Sequence, residues 1–144
     1  MNKPQLPISL QPPDWAAPKG YSNGIAARGT QVFIAGQIGW NAQCEFEHHD
    51  FTGQAAQAIR NIVAVLAQAG GGPEHIARMT WYVTDKKQYL AAGKALGTAY
   101  RILMKGADGK VCYPAMTAVQ VTALIEDKAL VEIEATAVIP DPAS

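Results

Sequence analysis

Long apolar runs, clustered basic residues and paired cysteines are what this chain lacks. Its apolar stretches are broken by Gln, Arg or Gly well short of the roughly 18 to 20 residues a membrane span requires, so no span is expected. Twelve Lys and Arg residues balance twelve Asp and Glu, and no basic run is longer than Lys86-Lys87. Bulk attraction to a phosphate backbone is therefore missing, and nucleic acid is not an expected partner. The two cysteines, Cys44 and Cys112, form no C-x-x-C pair, and the first residues hold neither a basic nor an apolar leader region. A reduced, cytoplasmic setting is the expectation. At 144 residues the chain suits one domain, small enough for subunit association to add much of its stability.

Proline, by contrast, is concentrated at the start, at positions 4, 7, 12, 13 and 18. That spacing favours extended, poorly hydrogen-bonded backbone. Residues 1–20 are read as an arm, 21–140 as a single domain and 141–144 as a tail. Trp15 is the exception within the arm, because an indole needs an apolar surface to rest on, either the domain or a neighbouring subunit.

The periodicities then give an order of elements. "NGIAARGTQVFIAGQI" alternates on both sides of a Gly29-Thr30 break, as two strands of a hairpin do. "GWNAQCEFEHHDFTG" has neither period and is expected to be a loop. Ala55, Ile59, Ile62, Val63 and Leu66 recur at helical spacing, with Thr52 as the expected cap and Gly70 to Gly72 as the stop. "HIARMTWYV" carries large apolar groups on both alternating sets and belongs in the sheet centre. Tyr89, Gly93, Leu96, Tyr100 and Leu103 form one stripe, predicting a second helix, bent or closely packed at Gly93 and Gly97. "TAVQVTAL" and "ALVEIEATAV" close the chain as two strands with "IEDKA" as their turn.

The resulting β-β-α-β-α-β-β order is an α/β (α+β) sandwich, in which right-handed crossovers put both helices on one face of the sheet. The other face is left bare. Met79 or Trp81 on that side would be exposed in a monomer, and roughly 300 to 600 Å2 of apolar surface is about what a monomer tolerates. Self-association with closed symmetry is expected.

Six segments, "YS" at Tyr21-Ser22, "FIAGQIG" from Phe33, "AIRNIVAVLAQAG" from Ala58, "WYVTD" from Trp81, "YPAMTAVQV" from Tyr113 and "VEIEATA" from Val131, together resemble the Rid/YjgF family, which includes enamine and imine deaminases. The resemblance runs from about Tyr21 to Ile139. It implies a chorismate-mutase-like subunit with two helices on a mixed sheet and a homotrimer with the sheets facing inward as a barrel. It further implies small-molecule clefts between neighbouring subunits and no metal or organic cofactor. It carries Tyr21, Gly36, Met116 and Ala118 to substrate contact and Glu132 to catalysis. In the deaminating branch an arginine stands where this chain has Met116, and an asparagine where it has Gly97. Arginine's planar fork holds a carboxylate through two charge-assisted hydrogen bonds, and methionine supplies neither charge nor donors. Such bonds are worth about 1.5 to 3 kcal/mol, roughly 10- to 150-fold in affinity. A small 2-imino acid is then a poor expected substrate, and a larger or more apolar one a better.

Hydrolysing an enamine or imine needs proton transfer, attack by water and departure of ammonia, and a carboxylate beside a bound water serves those steps. Glu132 has two readings: it positions that water, or it is a solvated glutamate at a strand end, on the opposite face from Val131, Ile133 and Ala135. Tyr21 either closes a cleft or packs at a strand edge. Met116 suits a pocket wall and a core gap equally. "CEFEHHD" invites a metal, yet adjacent loop histidines point apart and no second cluster completes a tetrahedron, so no metal site is expected. Cys112 is either a small buried residue or a reactive thiol. Arg28, Arg60, Arg78 and Arg101 are surface candidates, and any one reaching the cleft replaces the missing anchor. A non-catalytic metabolite-binding trimer is the alternative function. Ribonuclease activity ranks last, for want of a basic or aromatic groove.

Overall fold

The computed structural model describes residues 5–142. A short sheet pairs β1 (Ile8–Leu10) with β2 (Gly24–Ala26), antiparallel. The main sheet holds β3 (Thr30–Ile38), β4 (Ile76–Val83), β5 (Ala115–Gln120) and β6 (Val131–Ile139) in the order β3-β6-β4-β5. β6 runs antiparallel to both β3 and β4, whereas β4 and β5 are parallel. A parallel pair needs a crossover, supplied here by α2 (Lys86–Ala91) and α3 (Gly93–Leu103). α1 (Phe51–Ala67) leads from β3 towards β4. Mixed sheet and helices make the expected α+β sandwich, with one strand more than the predicted order.

The core lies between sheet and helices. Ile59, Ile62 and Leu66 of α1 are fully buried against Met79, Val131 and Ile133, each such side chain contributing about 1.5 to 3 kcal/mol by leaving water. Polar residues also enter this layer. The side chain of Gln54, 1% exposed, donates to the carbonyls of His48 and Lys128 at 3.1 and 2.9 Å and accepts from the Leu130 amide at 2.8 Å. One turn of α1 is thereby fastened to the chain entering β6.

Several sequence expectations are corrected. Met79 and Trp81 face the helices and are buried, because the apolar set of β4 that pairs with Ile133 and Ala135 of β6 is the one that meets α1. The bare face instead presents Arg78, Tyr82, Glu132, Glu134 and Thr136 around Phe33, which is 76% exposed. The opening segments do not pair with one another: β2 takes β1 from the proline-rich region, and β3 takes β6. β5 and β6 are no hairpin either, for β4 lies between them. Asp50, not Thr52, caps α1, accepting from the Gly53 amide at 2.9 Å. The second helix is two, divided at Ala92 beside Gly93. Trp15 is 62% exposed, so its own domain does not cover it.

Candidate functional site

Alternation on β6 buries Val131, Ile133, Ala135 and Ala137 and turns Glu132 and Glu134 to the open face. Glu134 is exposed and accepts the Tyr82 hydroxyl at 2.7 Å. That hydrogen bond, with the charges of Glu134 and Glu132 adding to it, raises the Tyr82 phenol above its ordinary value. Glu132 is half-buried, and its carboxyl lies over Gly36: a Cβ on that glycine would stand 2.8 Å from Cδ and 3.0 Å from Oε2 of Glu132. The register of β3 against β6 shifts between Ile34 and Gln37, so the seat is made where the ladder is irregular and side-chain-free.

Met116 occupies the other edge of the sheet and the other face. It pairs with Met79 on β4 and packs against the core. A cavity of about 330 Å3 opens beside it, between β5 and the α2–α3 pair, walled by Trp81, Tyr89, Leu96, Tyr100 and Tyr113. Trp81 and Tyr89 meet edge to face at 6.1 Å, and Tyr100 stacks on Tyr113 at 5.6 Å, which fixes the rings of that wall. The Tyr100 hydroxyl donates to the Cys112 carbonyl at 2.7 Å, and burial pushes that phenol far above its ordinary range. Exposed Lys19 and Arg101 also line the cavity. Among the described residues no acidic one does.

Tyr21 stands next to Gly20 of the cavity lining and is 39% exposed. It is held there by Ser22, whose amide donates to the Pro114 carbonyl at 3.0 Å and whose hydroxyl donates to the Tyr113 carbonyl at 2.5 Å. These contacts of Ser22 are not legible in the sequence, because a serine after a tyrosine gives no sign that it reaches Tyr113 and Pro114. Ala118, two along β5 from Met116, shares its face and is exposed.

The five sequence-predicted residues therefore divide. Tyr21, Met116 and Ala118 gather at the β5 edge; Gly36 and Glu132 gather on the open face near β3. Within one chain they are not brought together. β4 lies between β5 and β6, so Glu132 is two strand spacings, about 10 Å, from β5, and it points through the opposite face. Of the four arginines considered, Arg101 reaches the cavity. Cys112 is partly buried, with its thiol pushed up to about 11 chiefly by burial, then by Glu74 and Asp108. "CEFEHHD" serves structure through the Asp50 cap and the His48 carbonyl, and among the described residues no three His, Cys, Asp or Glu side chains gather to hold a metal ion. Among those residues, too, no helix is long and apolar enough to cross a membrane.

A helix layer on a mixed sheet of this strand order defines a fold that solved structures share. The chain belongs to the Rid/YjgF family: the family model described as Endoribonuclease L-PSP matches residues 13–139. A RutC family protein of Aquifex aeolicus is 33% identical over 135 residues, covering 94% of each chain. Among solved structures, the Rid-family protein YyfB from Yersinia pestis, described as of unknown function, superposes with a TM-score of 0.75 at 28% identity, over 92% of this chain and 98% of its own. RidA from an Antarctic Psychrobacter superposes at 0.62 with 31% identity, over 86% and 92%.

Proposed function

We propose that this protein is a Rid-type hydrolase that deaminates a reactive enamine or imine in clefts between the subunits of a homotrimer. The observation that carries the reading is the division of the site: an acid seated over Gly36 on one face, and an apolar cavity at the opposite edge. Each is half of a catalytic site, and a neighbouring copy brings the β3 side of one chain to the β5 side of the next. In such a cleft Glu132 orients a water and accepts its proton as the oxygen adds to the C=N carbon. The nitrogen takes up protons and leaves as ammonia, and the carbonyl compound remains. An enamine is first protonated at carbon to give the same imine. Tyr21 borders the cleft, while Met116 and Ala118 form wall rather than anchor. No metal or organic cofactor is called for by this sequence of steps.

A second reading, a metabolite-binding trimer without turnover, is favoured by Met116 itself, which leaves the cavity wall apolar where a fork of donors would fix a substrate carboxylate. RNA cleavage, the activity in the family model's description, receives no support from a chain with zero net charge. The deciding experiment generates imines in situ from several amino acids, apolar ones included, and follows ammonia release. Wild type is expected to accelerate release and Glu132→Gln to lose at least about 100-fold of that acceleration, as removal of a general base does. Equal rates in the two proteins refute catalysis through Glu132; ligand-induced thermal stabilisation without any turnover establishes the second reading.

A further inference from the structure

The open face of β6 carries two carboxylates, and β4 sets a single phenol against both of them. Tyr82 is the register partner of Glu132, and Thr80 that of Glu134, so the phenol stands directly opposite the first acid and diagonal to the second, both within reach of a long side chain. Its hydroxyl donates to Oε1 of Glu134 at 2.7 Å, although the charges of both acids bear on it. Glu132 leans the other way. Its Cδ lies 2.8 Å from where a Cβ of Gly36 would be, and Gly36 belongs to β3, on the far side of β6 from β4. Glu132 thus has a side-chain-free seat over β3, and over β4 a donor that is already engaged. The remaining charge on this stretch of β4 is Arg78, the register partner of Thr136. It forms no ion pair among the described residues, and its charge is the smallest of the influences on the Tyr82 phenol. What holds the hydroxyl is therefore Glu134.

We infer that Glu134 is a positioning residue for Glu132: by occupying the Tyr82 hydroxyl it keeps the neighbouring carboxyl seated over Gly36, with its lone pairs free for a water. An O–H bond to a carboxylate is charge-assisted, roughly twice as strong as a neutral one. Either glutamate can accept that bond, but one phenol offers one proton, so the bond made to Glu134 is a bond that Glu132 does not make. Released from Glu134, the hydroxyl draws the Glu132 carboxyl back across β6 towards β4 and takes up the lone pair that a base needs. The inference rests on the proposed function for the reaction that Glu132 serves, whereas the transfer of the hydroxyl from one acid to the other is independent of any turnover and is measured separately.

Two measurements on the full chain test this. In the ammonia-release assay Glu134→Ala is expected to lose about 10-fold of the acceleration, the factor of one charge-assisted hydrogen bond, while its Tm stays near that of wild type because Glu134 is exposed. Adding Tyr82→Phe removes the freed donor and restores the rate to within about threefold of wild type, less than one hydrogen bond's worth. Such a rescue is not open to a merely structural role, since a second truncation does not repair lost packing. Glu134→Gln keeps an accepting oxygen without the charge and also stays within about threefold, which separates the acceptor from the charge. The second measurement is a titration of the Tyr82 phenol by carbon NMR of ring-labelled tyrosine, its signal assigned by its loss in Tyr82→Phe. The phenol titrates above its ordinary value in wild type. In Glu134→Ala it is expected to remain above, because Glu132 has taken the bond, and to fall back towards 10.0 only when Glu132→Ala is added. An undiminished rate in Glu134→Ala, no rescue by Tyr82→Phe, or a phenol that returns to its ordinary value in Glu134→Ala alone each overturns the inference. If wild type releases no ammonia from any imine, the proposed chemistry is overturned, and the phenol titration still decides whether the hydroxyl moves between the two acids.

Discussion

Replacing Gln54 with leucine tests how β6, and so Glu132, is held in place. The side chain satisfies three backbone groups: the carbonyls of His48 and Lys128 and the amide of Leu130. Leucine fills nearly the same volume and answers none of them. Lys128 lies in exposed chain and turns to water, but His48 and Leu130 are only half-exposed. Leaving a buried group unmade costs about 1 to 3 kcal/mol, so two such groups cost about 2 to 6 kcal/mol, offset by about 1 to 2 kcal/mol from the added apolar burial. A net loss of about 3 kcal/mol lowers Tm by roughly 6 to 12 °C in a chain of this size. Differential scanning calorimetry measures it, and amide exchange at Leu130, two residues before Glu132, locates it: that amide exchanges faster in the variant than its neighbours in β6. Gln54→Glu adds a pH signature. The introduced carboxyl sits beside two carbonyl oxygens and favours its protonated form in the fold. Its raised folded pKa means that stability relative to wild type is best below the ordinary carboxylate range and is lost as pH rises through the folded value. A Gln54→Leu protein that melts with wild type, and protects Leu130 equally, refutes the clamp.

Two other expectations follow from single contacts. Gly36→Ala places a methyl 2.8 to 3.0 Å from the Glu132 carboxyl, which swings away at little cost because it is the end of a flexible side chain; Tm changes by less than about 3 °C while ammonia release falls almost as far as in Glu132→Gln, and an unchanged rate shows that the seat is irrelevant. For Cys112, a folded thiol pushed from 9.0 up to about 11 contributes stability that is present below pH 9 and lost as pH rises towards 11. Wild type therefore loses more stability over that range than Cys112→Val, and iodoacetamide at pH 8 modifies exposed Cys44 while sparing Cys112 until the protein unfolds; parallel melting curves of the two proteins remove the basis for this.

Element types were legible in the sequence because period reports local conformation, and partners were not, because pairing is a long-range choice. "IEDKA" between two alternating segments reads as a hairpin turn, yet β6 leaves β5 and inserts between β3 and β4. Facing was ambiguous for a physical reason as well. β4 has Ile76 and Tyr82 in one alternating set and Met79, Trp81 and Val83 in the other, and only the position of α1 decides which set is core. Gln54 was invisible, since a glutamine inside an apolar stripe looks like an interruption until its three partners are seen. Glu132, Gly36, Met116 and Tyr21 were all legible as residue types through the resemblance, while their distribution over two faces was not.

That distribution limits what one chain can do. A ligand held against Met116 and Trp81 lies on the helix side of the sheet, with β4 and the sheet's own thickness between it and the carboxyl of Glu132. No rotamer of a glutamate crosses a packed sheet, so Glu132 does not reach a ligand held there by its own chain. The charges at the two places are set by the same device. Gly36 leaves room for a carboxylate to lie flat over β3, and Gly97 leaves room for a guanidinium to lie along α3. A side chain at either glycine would move a charge and not the fold. What is left out beside a charged group thus decides where that group lies.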